Sequence, residues 1–324
     1  MNMDWMECVR WCHAAEDEFA VDTYIETLVD LCQRSNVASP ILTRMREDAG
    51  VRAAGYVVLY PGALGSVGNF RVDPPDDEFK RDLLIDLAKR LFRDAFDAGA
   101  ELVQGISPLI VSRVSLDPAT AFVSTDPQRD LLLQSAGMIP IAKLVQMECI
   151  GIATIPKLDL TNSGTDSNEI DFIAHDSIPR YDWSQLVERT YDGTHDVPEL
   201  NGLRNIDSTL AGYASAIVGV PDTWWVVRCR DVPIGCLLVT PTVAKCWELT
   251  YLGLLPEWRG RGLSKVVMNF VRDLALQSGI EGITLAVDLR NTAAIRLYQS
   301  CGFMTQRFVQ AWMCFPEVVS CGTP

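Results

Sequence analysis

Between Leu249 and Gln277 the chain passes from a strand to a helix through a turn of alternating arginine and glycine, Arg259-Gly260-Arg261-Gly262. Residues Trp247 to Leu254 are bulky and mostly apolar, as a buried strand requires, and Pro256 ends the run because proline has no N–H to give a ladder. Beyond the turn, Val266, Val267, Phe270, Val271 and Leu274 recur at helical spacing, with Lys265, Asn269, Arg272 and Asp273 between them and Gly279 as the stop. Gly260 and Gly262 let the backbone approach a ligand closely, so that N–H groups at the helix start converge on an anion. Glycines at such a junction can also be mere connection. The interleaved Arg259 and Arg261, in a chain with an excess of acid, favour an anion, and a phosphate-bearing ligand is the expected occupant.

Spacing narrows the choice. A dinucleotide fingerprint needs a third glycine where Lys265 stands, and a Walker loop needs GKS or GKT, which is absent. Arg259-x-x-Gly262-x-Ser264 instead resembles the pyrophosphate signature of the GNAT acyltransferases, (Gln/Arg)-x-x-Gly-x-(Gly/Ala), departing only in Ser264. A second stretch, Glu281 to Phe303, runs from an alternating strand (Ile283, Leu285, Val287) into a short helix from about Asn291 that Gly302 can end. Asn291, Ala294, Tyr298, Gly302 and Phe303 match the family's Asn-x-x-Ala-x-x-x-Tyr helix and following Gly-Phe. The resemblance covers roughly Ile170 to Phe315. It implies a mixed α/β fold and acetyl-CoA as co-substrate, with phosphates on Arg259, Gly260, Arg261, Gly262, Leu263 and Ser264. Asn291 and Ala294 would complete the cofactor site, and backbone groups of Leu252, Gly253 and Leu254 would hold the pantetheine arm like an added strand.

The rest of the chain reads as a damaged copy of this unit. With 324 residues, a prior of about 150 per domain suggests two. Gln134-Ser135-Ala136-Gly137-Met138 aligns with Gln299-Ser300-Cys301-Gly302-Phe303, and Val72-x-Pro74 with Leu254-x-Pro256, each proline followed by a helix. Predicted helices include Thr23 to Gln33, Glu78 to Ala98 and Trp183 to Thr190, with a strand at Gly55 to Tyr60. The expected organisation is a degenerate GNAT-like domain over 1–155, a polar turn-rich linker over 156–168 and a catalytic GNAT domain over 169–324. This tandem architecture resembles the mycothiol synthase family. Where the second half has RGRGLS, the first has Asp77, Glu78, Phe79, Lys80, Arg81 and Asp82, without glycine and with acids that repel a pyrophosphate. Leu133 replaces Tyr298, and Ser66 falls where Glu248 stands, so one active site is expected, in the second half.

A formal charge of −14 argues against nucleic acid or anionic membranes as partners and fits a cationic or polar small-molecule acceptor. Ten cysteines lie scattered through apolar segments without a CxxC pair, as reduced thiols of a cytoplasmic protein would. The start of the chain has early acids and no apolar h-region, and no apolar run approaches the ~20 residues of a membrane span. His13, His175 and His195 have no metal spacing, and no metal is expected. Oligomeric state is not encoded in these motifs.

Acetyl transfer to an amine needs a base, because a free alkylamine has a pKa near ~10. Glu248 stands at the position of the catalytic glutamate in several GNAT enzymes, and regular alternation puts it on one side with Thr250, Leu252 and Leu254. Its rival reading is an exposed strand carboxylate paired with Lys245. Tyr298 is the candidate acid for the departing thiolate, or else a core aromatic. Trp224, Trp225, Trp247 and Trp258 read as packing. Asp192, Asp196 and Glu199 read as a solvated acidic loop or as a guide for a cationic acceptor. Two alternatives stay open: a function of another class, an acyl-CoA-binding sensor or scaffold without turnover, and a transferase acting on a protein N-terminus or lysine.

Overall fold

A computed structural model describes residues 4–34, 40–48, 50–73, 78–111, 121–154, 157–160, 169–215, 223–242 and 245–316. Internal contacts divide the chain into Met1–Ile141 with Val309–Pro324, and Ala142–Phe308. The first unit so defined ends before the expected linker, and the described residues 309–316 group with it.

The first unit opens with α1 (Trp5–Cys12) and α2 (Glu18–Arg34). Helix α2 starts at Glu18 rather than Thr23 because the Asp17 side chain accepts the Ala20 N–H at 3.1 Å, an N-cap ahead of the apolar periodicity. An antiparallel meander of β1 (Ile41–Asp48), β2 (Val51–Tyr60) and β3 (Leu64–Asp73) follows. Helix α3 (Glu78–Asp97) then leads to β4 (Leu102–Val111), β5 (Phe122–Ser124) and α4 (Pro127–Ser135). The long strand β6 (Ile139–Ile150) starts in this unit and passes to the second. Leu83, Leu87 and Leu91 of α3 pack on Ala53 and Val57 of β2, and Trp312 and Cys314 from the chain's end complete that core. The Trp312 indole N–H donates to the Ser107 hydroxyl at 2.9 Å, so its burial leaves no orphaned donor.

The second unit contains β7 (Ile170–Ala174), α5 (Arg180–Arg189), α6 (Ile206–Ser215), β8 (Trp224–Cys229) and β9 (Val232–Pro241). Next come β10 (Cys246–Leu254), α7 (Leu263–Gln277), β11 (Gly282–Asp288), α8 (Thr292–Ser300) and the first residues of β12 (Met304–Cys314). Its sheet runs β6-β11-β10-β9-β8-β7, antiparallel except between β10 and β11. Helices α7 and α8 cover one face, with Val267, Val271 and Tyr298 against Leu237 and Leu285. Helices α5 and α6 cover the other, with Trp183, Leu186 and Leu210 against Trp224 and Leu238. Trp224 and Trp247 are buried, and Trp225 meets Phe270 edge-on at 5.5 Å, as packing residues.

Most of the expected linker, residues 156 and 161–168, lies outside the described residues, as do Asp77 and Pro74. The described part, 157–160, is not a free connection. The Asn269 side chain on α7 accepts the Leu158 N–H at 2.8 Å and donates to the Leu158 carbonyl at 3.1 Å, while Lys157 pairs with Asp273.

The two units repeat one plan. In each, a bulged strand pairs in parallel with the next for three positions: Leu64–Ser66 with Leu102–Gln104, and Cys246–Glu248 with Gly282–Thr284. This register sets Ser66 opposite Gln104 as Glu248 is set opposite Thr284. Helices α4 and α8 are also equivalent. Asp126 and Asn291 cap them by accepting the N–H of Arg129 and Ala294, at 2.9 and 3.2 Å. Gly137 and Gly302 end them at positive φ, and the next residue donates to the carbonyl of Leu133 or Tyr298 at 2.9 and 3.0 Å. Leu133 is therefore the structural counterpart of Tyr298.

Candidate functional site

Beyond Glu248 and Thr284 the ladder between β10 and β11 stops, and the strands part. On its other edge β10 shifts register against β9 between Leu249 and Tyr251, a bulge that leaves Thr250 extra. The separation opens a cleft of about 570 Å³ lined by Leu252, Gly253 and Leu254, by Ala286 of β11, and by Asn291, Ala294 and Tyr298 around α8. Gly260, Gly262 and Ser264 form its end at the start of α7.

That end is shaped by backbone. Gly260 and Gly262 have φ of +73° and +79°, which a side chain would strain, and a Cβ on Gly260 would meet nothing within 4 Å. Gly262 is the N-cap of α7 with no side chain closing over the helix start, so the first N–H groups face an open site suited to an anion. Lys265 also lines the cleft. Arg261 and Leu263 do not: the Arg261 guanidinium lies over the Trp258 ring at 4.8 Å, and Leu263 is buried in the core.

Arg259 lines the cleft but spends its donors on the protein. Its Nε donates to the Leu254 carbonyl at 2.9 Å, Nη1 to Asp192 and Gly193 at 2.7 and 3.2 Å, and Nη2 to Thr190 at 2.8 Å. It ties the segment after α5 to the end of β10 and gives the cleft its charge without offering a free fork to a phosphate. Asn291 is likewise occupied, as the cap of α8.

A second cavity of about 560 Å³ lies in the same unit between α5, α6 and β10. Thr250, Tyr251 and Asp196 line both cavities and form their common wall. The bulge is responsible. Trp247 and Leu249 belong to the core beneath α7, so Glu248, opposite Thr240, faces the other side, and the extra Thr250 brings Tyr251 onto that same side against α5 and α6. Leu252 and Leu254 return to the α7 side, and the regular alternation expected for Glu248, Thr250, Leu252 and Leu254 is broken here. The Thr250 hydroxyl meets that of Thr240 at 2.6 Å. Tyr251 shares a hydrogen bond with the Thr190 hydroxyl at 3.0 Å, Tyr191 one with Tyr213 at 3.2 Å, and the Tyr191 and Tyr251 rings lie 5.0 Å apart.

Glu248 is partly buried and lines neither cavity, and burial holds its carboxyl above the usual range. Lys245 pairs with Glu281 at 2.8 Å rather than with Glu248. Tyr298 lines the cleft with its ring 5.7 Å from Phe303, and burial, reinforced by Asp196, pushes its phenol up, so it stays protonated at neutral pH.

The acidic segment is no solvated loop throughout. Asp196 is largely enclosed, and its Oδ1 accepts the Asp288 N–H at 2.8 Å; Glu199 grips Arg290, which also binds Asp288. Sequence reasoning gave no weight to the aromatic wall of Tyr191, Tyr213 and Tyr251. Among the described residues no cluster could hold a metal ion, no helix is long and apolar enough to cross a membrane, and nine cysteines are free thiols.

Parallel strands that part beside a glycine-started helix, with a second chamber across the bulge, are the features that the comparisons with known proteins have to match. Residues 180–303 match the family model for the acetyltransferase (GNAT) family, to which this stretch of the chain is similar. A mycothiol acetyltransferase from Renibacterium salmoninarum is 41% identical over 56 residues, 17% of each chain, so the match spans about a sixth of that relative's length. Two solved structures share the fold. A GCN5-related N-acetyltransferase from Sphaerobacter thermophilus superposes with a TM-score of 0.51 at 17% identity, over 81% of this chain and 76% of its own. The GCN5-related glucosamine N-acetyltransferase region of a fungal multi-domain GH3 β-N-acetylglucosaminidase gives 0.53 at 14% identity, over 88% of this chain and 34% of its own. The first covers more of this chain than one unit contains, in keeping with two GNAT-like units in tandem.

Proposed function

We propose that the protein is an N-acetyltransferase that carries the acetyl group of acetyl-CoA to a primary amine of a small molecule. The observation that carries this reading is the shared wall: a cleft ending on an anion-binding helix start meets a second chamber at Asp196, Thr250 and Tyr251. Acetyl-CoA fits the cleft, with its phosphates at Gly260, Gly262 and the first N–H groups of α7, and Lys265 nearby. Backbone groups of Leu252 to Leu254, released from β11 by the parting of the strands, offer the pantetheine an edge to pair with. The amine enters the second chamber, whose volume suits a small acceptor, and Glu188, Asp192 and Asp196 on its walls favour a cation.

Acetyl-CoA supplies an activated acyl group to direct attack. The amine loses a proton to a carboxylate, its nitrogen bonds to the acetyl carbon as the carbon–sulfur bond breaks, and Tyr298, protonated and in the cleft, donates to the departing sulfur. Glu248, on the acceptor side of the sheet, was the sequence's candidate for that carboxylate and could act only through intervening groups. The free thiols fit a cytoplasmic setting. The test is release of thiol from acetyl-CoA across a panel of primary amines: amine-dependent release supports the reading, and binding of acetyl-CoA without release on any amine favours a sensor.

A further inference from the structure

We infer that Asp196 is the group that receives the acceptor's ammonium and takes its proton. The inference rests on the transferase reading and deepens it.

Geometry selects this residue. Asp196 is the carboxylate that lines both cavities, whereas Glu248 lines neither, and Glu188 and Asp192 line only the acceptor chamber. Its position is fixed from two sides. The Asp196 N–H donates to the Thr194 hydroxyl at 3.0 Å, and Oδ1 accepts the backbone N–H of Asp288, at the end of β11, at 2.8 Å. The other oxygen, Oδ2, accepts no hydrogen bond from a described residue. A carboxylate held by one oxygen at the boundary between donor and acceptor chambers has its second oxygen available for a proton.

The surroundings suit that task. Asp288 and Arg290 face Asp196 from the end of β11, Tyr298 from α8, Tyr213 from α6 and Tyr251 from β10. Burial pushes the Asp196 carboxyl above the aspartate range, Asp288 pushes it further, and the Asp288 N–H and Arg290 pull it back. Arg290 does not neutralise it by contact, because its guanidinium is bound to Asp288 and Glu199. An incoming alkylammonium would pair with this carboxylate beside the Tyr213 and Tyr251 rings, whose faces also attract a cation.

The proton balance follows. R–NH3+ gives one proton to Asp196, and the freed nitrogen lone pair forms the bond to the acetyl carbon as the carbon–sulfur bond breaks. The second nitrogen proton replaces the one Tyr298 gives to sulfur, and Asp196 returns its proton to solvent. The sum is amide, free thiol and one proton.

The full-length chain is assayed by thiol release with 2-aminoethanol, glucosamine, lysine and spermidine. With the best acceptor, Asp196→Asn should lower kcat/KM by about 100-fold or more. It should also remove the acid limb of the pH profile, with acetyl-CoA affinity by calorimetry held within about twofold, since the amide oxygen can still accept the Asp288 N–H. Asp196→Ala should be equally slow and regain activity with added formate, which a merely structural role would not allow. Glu248→Gln should keep the acid limb. An Asp196→Asn enzyme within about threefold of the parent, a limb lost in Glu248→Gln but kept in Asp196→Asn, or no formate rescue would overturn the role of Asp196 alone. Absence of turnover by the parent with every amine would overturn the transferase reading, and this role with it.

Discussion

Arg129 and Ala294 stand at the same step of equivalent helices, each giving its N–H to the capping side chain three residues earlier. Their side chains have opposite consequences. Ala294 lines the open cleft of the second unit. Arg129 reaches between the parting strands of the first, donating from Nε to the Ile106 carbonyl at 2.9 Å and from Nη2 to the Gly68 carbonyl at 3.2 Å. The first unit keeps the strand separation of an acyl-CoA fold and fills it with a guanidinium.

Transferring this plug should close the working cleft. Ala294→Arg is expected to weaken acetyl-CoA binding at least about tenfold, ~1.4 kcal/mol, while leaving the fold intact, because the side chain enters solvent-filled space. Calorimetry beside a thermal melt checks both halves of that statement.

Arg259→Ala tests the carbonyl clamp. Losing the donor leaves the partly buried Leu254 carbonyl without this bond and weakens the hold on the carbonyls of Thr190, Asp192 and Gly193, and stability should fall by about 1–3 kcal/mol in denaturant titration. If Arg259 were only a phosphate ligand, stability in the absence of acetyl-CoA would not change.

Gly253→Ala addresses the wall between the chambers. A Cβ there would lie 2.5 Å from the Thr190 hydroxyl oxygen and 2.8 Å from the Tyr251 ring, breaking the bond between those side chains. The acceptor KM should rise several-fold more than the KM for acetyl-CoA, as steady-state kinetics would show.

Glu248 makes a prediction about stability that is independent of catalysis. Burial raises its carboxyl in the folded chain, so the folded state holds the proton more tightly than the unfolded one. Its contribution is most favourable below the unfolded value of about 4.3 and is lost as pH rises through the raised folded value. Glu248→Gln should therefore be more stable than the parent at neutral pH, with the advantage vanishing below about pH 4 in urea melts.

The glycine-arginine turn, the Asn-capped helix and the Gly-Phe ending were legible because each is a local backbone requirement written in consecutive residues. The repeat was legible for the same reason, through Gly137 and Gly302. What escaped notice depends on contacts distant in the chain. Nothing near Arg259 announces that its donors will meet carbonyls of residues 190–193 and 254, and nothing near Asp196 announces the N–H of Asp288. The bulge at Thr250 decided which residues face the acceptor side, and an alternation pattern gives no register to a strand that carries an extra residue. That Trp312 and Cys314 pack in the core of the first unit is likewise a matter of contacts far apart in the chain.

The most direct measurement is a calorimetric titration of acetyl-CoA into the full-length chain and into a variant with both Gly260 and Gly262 changed to valine. One site per chain, lost in the variant while its thermal melt stays cooperative, is the predicted result. Two sites per chain, or one site that survives in the variant, would contradict an account in which a single cleft binds the cofactor at the start of α7.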